Sequence, residues 1–442
     1  MAASAWSRLP FIWLQLSVIT LSLAIPDQSY ESVHRVPQSN PVAPSSNPFD
    51  NSWIANWAVI GDSYAAGLGA GQRLDYGCSR YSGGYPSLIA ADDRFGVNPN
   101  RTSQFLACSG KTTSDILDKQ VPYAHDNLDL LLISAGGNDV LLGDVLDSCI
   151  FQWKNGDTEK CERTLDNSQS LIDHDLPNNL DKLLDAVIPK LQPEGRIYWP
   201  GYAQFFGESP FCNNVSWSVW PWMPMTEKQM LTLERRQLMN NMVAQTNLRI
   251  KEAIERANNK VNKIGKHQIP SPIAFVDWDW TSRMAEGRFC EMDVKEPDPM
   301  RNKLMFFEWN TLDDGDDPTI ITRPADPVPA DSFEGSIGKW ALETLAEHPD
   351  WLEFGPDGTE PVNLDPNLIE VAMREREAYA ETGLDGIISW FVPDSWKRVF
   401  HPRALGHRII ADMVLHTMAV DRAKWLKIQP PEPQGYARLE LR

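Results

Sequence analysis

The run LDLLLISA, beginning at Leu128, constrains this chain more than any other stretch. It suits a central β-strand buried on both faces. Shorter apolar runs at 57–60, 104–107, 196–199 and 273–276 are bounded by Gly, Pro, Asp or Asn, and helix-like stretches cover 171–191, 227–257 and 404–420. That alternation is the mark of a parallel sheet wrapped by helices. In such a sheet, binding and catalytic loops lie at the carboxyl ends of the strands. Gly61-Asp62-Ser63 and Gly136-Gly137-Asn138-Asp139 each follow directly on a strand-like run and belong at that edge.

With 442 residues the chain can bury one large core or two modest ones. Residues 25–50 are rich in Pro, Ser and Asn and read as a linker. The ordered domain is expected over 51–427, with an acidic, proline-rich insertion at about 284–390 that carries short helices such as 368–379, and with a peripheral tail at 428–442. The Asp cluster at 313–317 lacks the alternating ligand spacing of an EF-hand loop and reads as solvated.

Residues 1–24 place Arg8 ahead of a short apolar run with the small-residue exit Ser22-Leu23-Ala24, the layout of a cleaved secretory signal rather than a stable membrane anchor. In an oxidising compartment an even cysteine count favours disulfides over metal thiolates. Six cysteines allow fifteen pairings. The sequence-local choice joins Cys78 to Cys108, Cys149 to Cys161 and Cys212 to Cys290, the others remaining open. Asn100 and Asn214 head N-x-S/T sequons suited to the same compartment. A formal charge of −19, from 41 basic and 60 acidic residues, argues against nucleic acid and against adsorption to anionic membranes.

A serine hydroxyl attacks an ester only when a base takes its proton and donors face the developing oxyanion. Four loops supply such groups. Ser63 sits just beyond a strand, where N–H groups at a helix start are open. Gly110 in FLACSGKTT offers an unobstructed backbone N–H, and Asn138 in SAGGNDV offers an amide donor. His401 in VFHPRALGH precedes a helix and suits a base near neutral pH, whereas His407 and His416 within that helix look structural. The α/β-hydrolase elbow is absent, since Ala65 stands at its second glycine, and Gln72 breaks the dinucleotide fingerprint.

Gly61-Asp62-Ser63, Gly110, Gly136-Gly137-Asn138-Asp139 and His401, in that order, resemble the blocks of the SGNH, or GDSL-type, hydrolase superfamily. The cysteine positions resemble its secreted three-disulfide esterase and lipase branch. The resemblance implies a three-layer α/β/α sandwich around a central parallel sheet. It also implies Ser63 as nucleophile, His401 as general base, and an oxyanion hole from the Ser63 N–H, the Gly110 N–H and the Asn138 side chain, without metal or cofactor. One block departs from the family: Arg398 stands where D-x-x-H places the acid. The Arg398 backbone carbonyl is the first choice to orient His401, and Asp394 the second.

The expected activity is hydrolysis of a carboxylic ester by a secreted serine esterase or lipase. Acyl lipid and acylated polysaccharide compete as substrates, and a non-catalytic secreted binding protein on the same scaffold is the reading from another class. Trp217, Trp220 and Trp222 either grip substrate or pack in the core.

Overall fold

The computed structural model describes residues 47–152, 157–218, 228–265, 267–268, 270–309, 311–313, 328–329, 331–339 and 397–432. All belong to one unit of the chain, Val42–Arg442. The expected leader, nearly all of the linker, the helix at 368–379, Asp394, Trp220, Trp222 and most of the tail lie outside these residues.

Five parallel strands form the central sheet: β1 (Asn56–Gly61), β4 (Thr102–Phe105), β5 (Leu128–Ser134), β6 (Leu191–Pro200) and β7 (Ile273–Val276). Their order is β4-β1-β5-β6-β7, with Trp57 opposite both Ser103 and Leu130. A small antiparallel hairpin, β2 (Arg73–Asp75) with β3 (Arg80–Tyr81), stands apart from this sheet. β5 lies between β1 and β6 and is buried almost throughout, as its unbroken apolar run requires. The edge strand β4 begins two residues earlier than its apolar pattern suggests. Thr102 and Ser103 are exposed, because an edge strand needs ladder hydrogen bonds more than burial.

The helices are α1 (Ser63–Ala66), α2 (Tyr85–Ala91), α3 (Thr113–Lys119), α4 (Leu142–Leu146), α5 (Thr158–His174), α6 (Leu176–Val187), α7 (Leu233–Ile264), α8 (Asp279–Met284) and α9 (Ala404–Leu426). On the sheet, α2 packs with α9, while α6 packs with α3, α5 and α7. The helix expected over 171–191 is instead parts of α5 and α6, which break at Asp175, where Pro177 in the first turn of α6 can donate no backbone hydrogen bond, and its last residue opens β6. α7 starts later than expected because Thr232 caps it, accepting from the Arg235 N–H.

The three disulfides follow the sequence-local pairing, Cys78–Cys108, Cys149–Cys161 and Cys212–Cys290. The opening part of the stretch expected as an insertion is core: Cys290, Leu304, Met305, Phe306 and Phe307 are buried. Asp313 departs from the solvated reading of its cluster, whose other positions, 314–317, lie outside the described residues. Its carboxylate accepts from Arg403 Nε at 2.6 Å and from the Ala404 N–H at 2.9 Å, at the positive start of α9. Asn100 and Asn214 are both exposed. No helix among the described residues is long and apolar enough to cross a membrane.

Candidate active site

The sheet order reverses direction across β1, which has β4 on one side and β5 on the other. Open α/β sheets hold their ligands at such a switch point, beyond the carboxyl ends of the strands. β1 ends at Gly61 and delivers Ser63; β5 ends at Ser134 and delivers Asn138.

Ser63 is the first residue of α1, so its N–H has no acceptor within the helix. Asp62 caps that turn by accepting from the Tyr64 N–H at 3.0 Å. The Tyr202 hydroxyl donates to the other Asp62 oxygen at 2.5 Å and accepts from the Gly137 N–H at 2.9 Å. One phenol thus ties the serine turn to the asparagine loop. Burial pushes the Asp62 carboxyl up to about 7, against the hydrogen bonds from Tyr202 and Tyr64 that favour its charged form.

Asn138 donates through Nδ2 to the Lys111 carbonyl at 2.9 Å, which uses one of its two amide hydrogens and sets the direction of the other. Asp139 turns away to the start of α3, where it accepts from the Thr113 N–H at 2.9 Å and from the Thr113 hydroxyl. The Asn-Asp pair therefore divides its work between a donor facing the cleft and an anchor on a helix. Gly110, at φ +77°, holds the left-handed turn between β4 and α3 that a side chain would strain.

His401 reaches the serine from the far end of the chain, with Nε2 2.6 Å from Ser63 Oγ. Its Nδ1 lies 3.1 Å from the Val399 carbonyl. A carbonyl can only accept, so Nδ1 carries the proton and Nε2 is left to accept from the serine hydroxyl. The Val399 carbonyl makes this contact, and the Arg398 carbonyl, the expected orienting group, also favours the charged ring. The Arg398 carbonyl accepts the main-chain N–H of His401 at 3.0 Å, and Phe400 at φ +64° turns the backbone so that Val399 faces the ring. Asp394, the second choice, lies outside the described residues.

The Arg398 side chain points away from the imidazole. It donates to the Gly69 carbonyl at 2.9 Å and the Thr311 carbonyl at 2.6 Å, with its guanidinium 4.0 Å over the Phe307 ring. The loop is further held by two main-chain bonds at 2.8 Å, Phe400 N–H to the Phe307 carbonyl and Phe307 N–H to the His401 carbonyl. Burial pushes the His401 imidazole down to about 4, although the residue is half-buried and lines the cleft. His407 is fully buried and accepts from the Tyr85 N–H at 3.2 Å, a packing role. Trp217 is likewise core, edge-on to Phe289 and Phe400.

Ser63, Gly110, Asn138 and His401 all line one cleft of about 430 Å³. Beside it, and sharing Gly137, Leu142, Leu146 and Tyr202 as walls, runs a smaller apolar slot of about 60 Å³ lined by Val140, Val145, Ile172, Met239 and Met242. Sequence reasoning missed Tyr202; its signal is a tyrosine just past a strand end, after Pro200-Gly201.

Residues 59–280, half of the chain, match the model of the GDSL-like Lipase/Acylhydrolase family. The chain belongs to that family. Among the similar proteins of this GDSL-like group, a lipase of Streptomyces rimosus is 31% identical over 153 residues, covering 34% of this chain and 53% of its own. Lipase 1 of Streptomyces coelicolor is 30% identical over 162 residues, covering 36% and 57%. The chain thus spans about half the length of the curated relatives it matches. The solved extracellular lipase of Streptomyces rimosus superposes at a TM-score of 0.41 and 24% identity, over 54% of this chain and 85% of that one. His401 and the stretch expected as an insertion lie beyond the family match.

Proposed function

We propose that this chain is a secreted carboxylic ester hydrolase acting on neutral acyl-lipid esters. The observation that carries the reading is the 2.6 Å approach of His401 Nε2 to Ser63 Oγ, with Nδ1 engaged by the Val399 carbonyl. His401 takes the Ser63 proton as Oγ attacks the ester carbon. The tetrahedral oxyanion is met by the N–H groups of Ser63 and Gly110 and by the amide of Asn138. The proton then passes to the departing alkoxide, and a water activated by the same imidazole releases the acid from the Ser63 acyl ester. No residue in this sequence of steps requires a metal or cofactor.

The acyl-lipid reading over deacylation of polysaccharide draws on the apolar slot beside the cleft, which an acetyl group would leave unfilled. Lipase names among the relatives point the same way. Three disulfides and the leader-like residues 1–24 support secretion.

The test is hydrolysis of p-nitrophenyl esters of increasing chain length by wild type, Ser63→Ala and His401→Ala. Both variants should lose at least about a thousandfold in kcat/KM, and a serine-directed phosphonate should label wild type but not Ser63→Ala. Wild-type rates in both variants would remove the site from consideration. An unlabelled, inactive but folded wild type would favour a binding protein, and acetate release from acetylated polysaccharide with no activity on longer chains would favour the carbohydrate esterase.

A further inference from the structure

The cleft has a wall that the family-matched residues do not supply. Phe333, Ser336 and Ile337 line it from a short helical segment, 333–339, inside the expected insertion. Spaced i, i+3 and i+4, they share one helix face, and that face looks into the cleft. The Phe333 side chain lies against Gly110 at ordinary van der Waals distance from where a Cβ there would sit.

The flank of the segment is fastened by charges that are costly to bury. Glu334 is fully buried and accepts from Arg73 at 2.7 Å, from the Ser79 hydroxyl at 3.2 Å and from Lys397 at 2.8 Å. Those partners belong to the β2–β3 hairpin and to the loop that carries His401. Two more lysines fix its approach: Lys111 Nζ donates to the Asp331 carbonyl at 2.6 Å, and Lys119 pairs with the Asp331 carboxylate at 2.7 Å. Buried ion pairs contribute little net stability next to apolar packing, but they define a geometry. Here the geometry they define is the position of residues 333–339 at the mouth of the site.

We infer that the 333–339 helix is the alcohol-side subsite, in which Phe333 and Ile337 hold an uncharged, apolar leaving group, and this rests on the hydrolase reading above. The departing oxygen must lie beside His401 Nε2 to receive its proton. Glu334 ties the helix to Lys397, four residues before His401 on the loop that brings the imidazole to the cleft. The acyl half then falls on the other side, toward Asn138 and the apolar slot. Asp144 and Asp147 line the same cleft, while Lys397 is engaged by Glu334, so an anionic alcohol is disfavoured.

The experiment compares two substrate series in wild type, Phe333→Ala, Ile337→Ala, the double variant and Glu334→Gln. One series holds the acyl group as butyrate and varies the alcohol from ethyl to benzyl to octyl. The other holds p-nitrophenol and varies the acyl chain from acetate to octanoate. The ratio of kcat/KM for benzyl or octyl over ethyl butyrate should fall about tenfold in the double variant and in Glu334→Gln, with the octanoate-to-acetate ratio within about twofold of wild type. An unchanged alcohol ratio, or equal movement of both ratios, overturns the subsite. Phe333→Leu should restore most of the alcohol preference, which a loss of folding would not allow. If wild type turns over no ester in either series, the hydrolase reading itself falls and the subsite with it.

Discussion

Replacing Tyr202 by Phe removes one oxygen and leaves the ring, so the 5.0 Å edge contact with Tyr64 survives and no cavity opens. The cost comes from two groups stranded away from water, since Tyr202 is only 4% exposed. One is the Asp62 oxygen that the phenol reaches at 2.5 Å, the other the Gly137 N–H that donates to it at 2.9 Å. An unsatisfied buried polar group costs about 1–3 kcal/mol, and Asp62, already pushed up to about 7 by burial, takes up a proton once Tyr202 no longer favours its charged form, so urea unfolding near neutral pH should show a loss of about 2–4 kcal/mol. Activity should fall further than folding explains, because the same phenol sets the spacing between Ser63 and Asn138. Removing an oxyanion donor outright costs about a hundred- to a thousandfold in kcat, and displacing one should cost roughly tenfold, with KM little changed. Tyr64→Phe is the control: it loses only the 3.1 Å bond to the Phe400 carbonyl, a neutral hydrogen bond of about 1 kcal/mol. In an Asp62→Asn background the Tyr202→Phe penalty should shrink, because no carboxylate is left whose charged form the phenol favours. A Tyr202→Phe protein within about 1 kcal/mol of wild type, or a penalty unaltered by Asp62→Asn, would refute the reasoning.

Two further outcomes test the histidine loop. Only a neutral imidazole can accept the Ser63 proton, and burial pushes His401 down to about 4, so kcat/KM should hold through pH 6.5 and fall at lower pH. Asp62 is the other buried group of the site that titrates in this range, and the profile should be repeated in Asp62→Asn; an acid limb at or above pH 6.5 in both proteins would contradict the assignment. Arg398→Asp restores the family's usual acid, yet it should not raise kcat and should destabilise the fold by several kcal/mol, on the order of the 3–5 seen when a buried charge loses its partners. The side chain at 398 faces the Gly69 and Thr311 carbonyls, not His401.

Much of this was legible in the sequence because parallel-sheet strands announce themselves as short apolar runs, and the loops that follow them carry the chemistry. Ser63, Gly110 and Asn138 follow such strands, whereas His401 precedes a helix and was picked out with them by the resemblance of the four blocks to the GDSL-type hydrolases; all four line one cleft. The Val399 carbonyl at Nδ1 was not legible because a left-handed backbone at Phe400, unusual for a side chain of that size, shapes how the loop meets the ring. Periodicity does not report that torsion. Tyr202 escaped notice because a tyrosine after a core strand reads as packing, and its two polar contacts come from loops 140 and 65 residues away. The cleft wall at 333–339 was hidden by its acidic, proline-rich surroundings. Its Glu334 looks solvated in a string of letters and is completely enclosed in space.

The hydrogen bond between Ser63 and His401 spans 338 residues of sequence. A ribosome adding about 5–20 residues each second would take roughly 17–70 s to cover that distance. All three disulfide pairs, the last closed by Cys290, emerge before the histidine does. Throughout that interval the growing chain carries its serine with no base to activate it. On the proposed mechanism the chain is therefore silent while it is being made, and synthesis of the segment that carries His401 is what arms it.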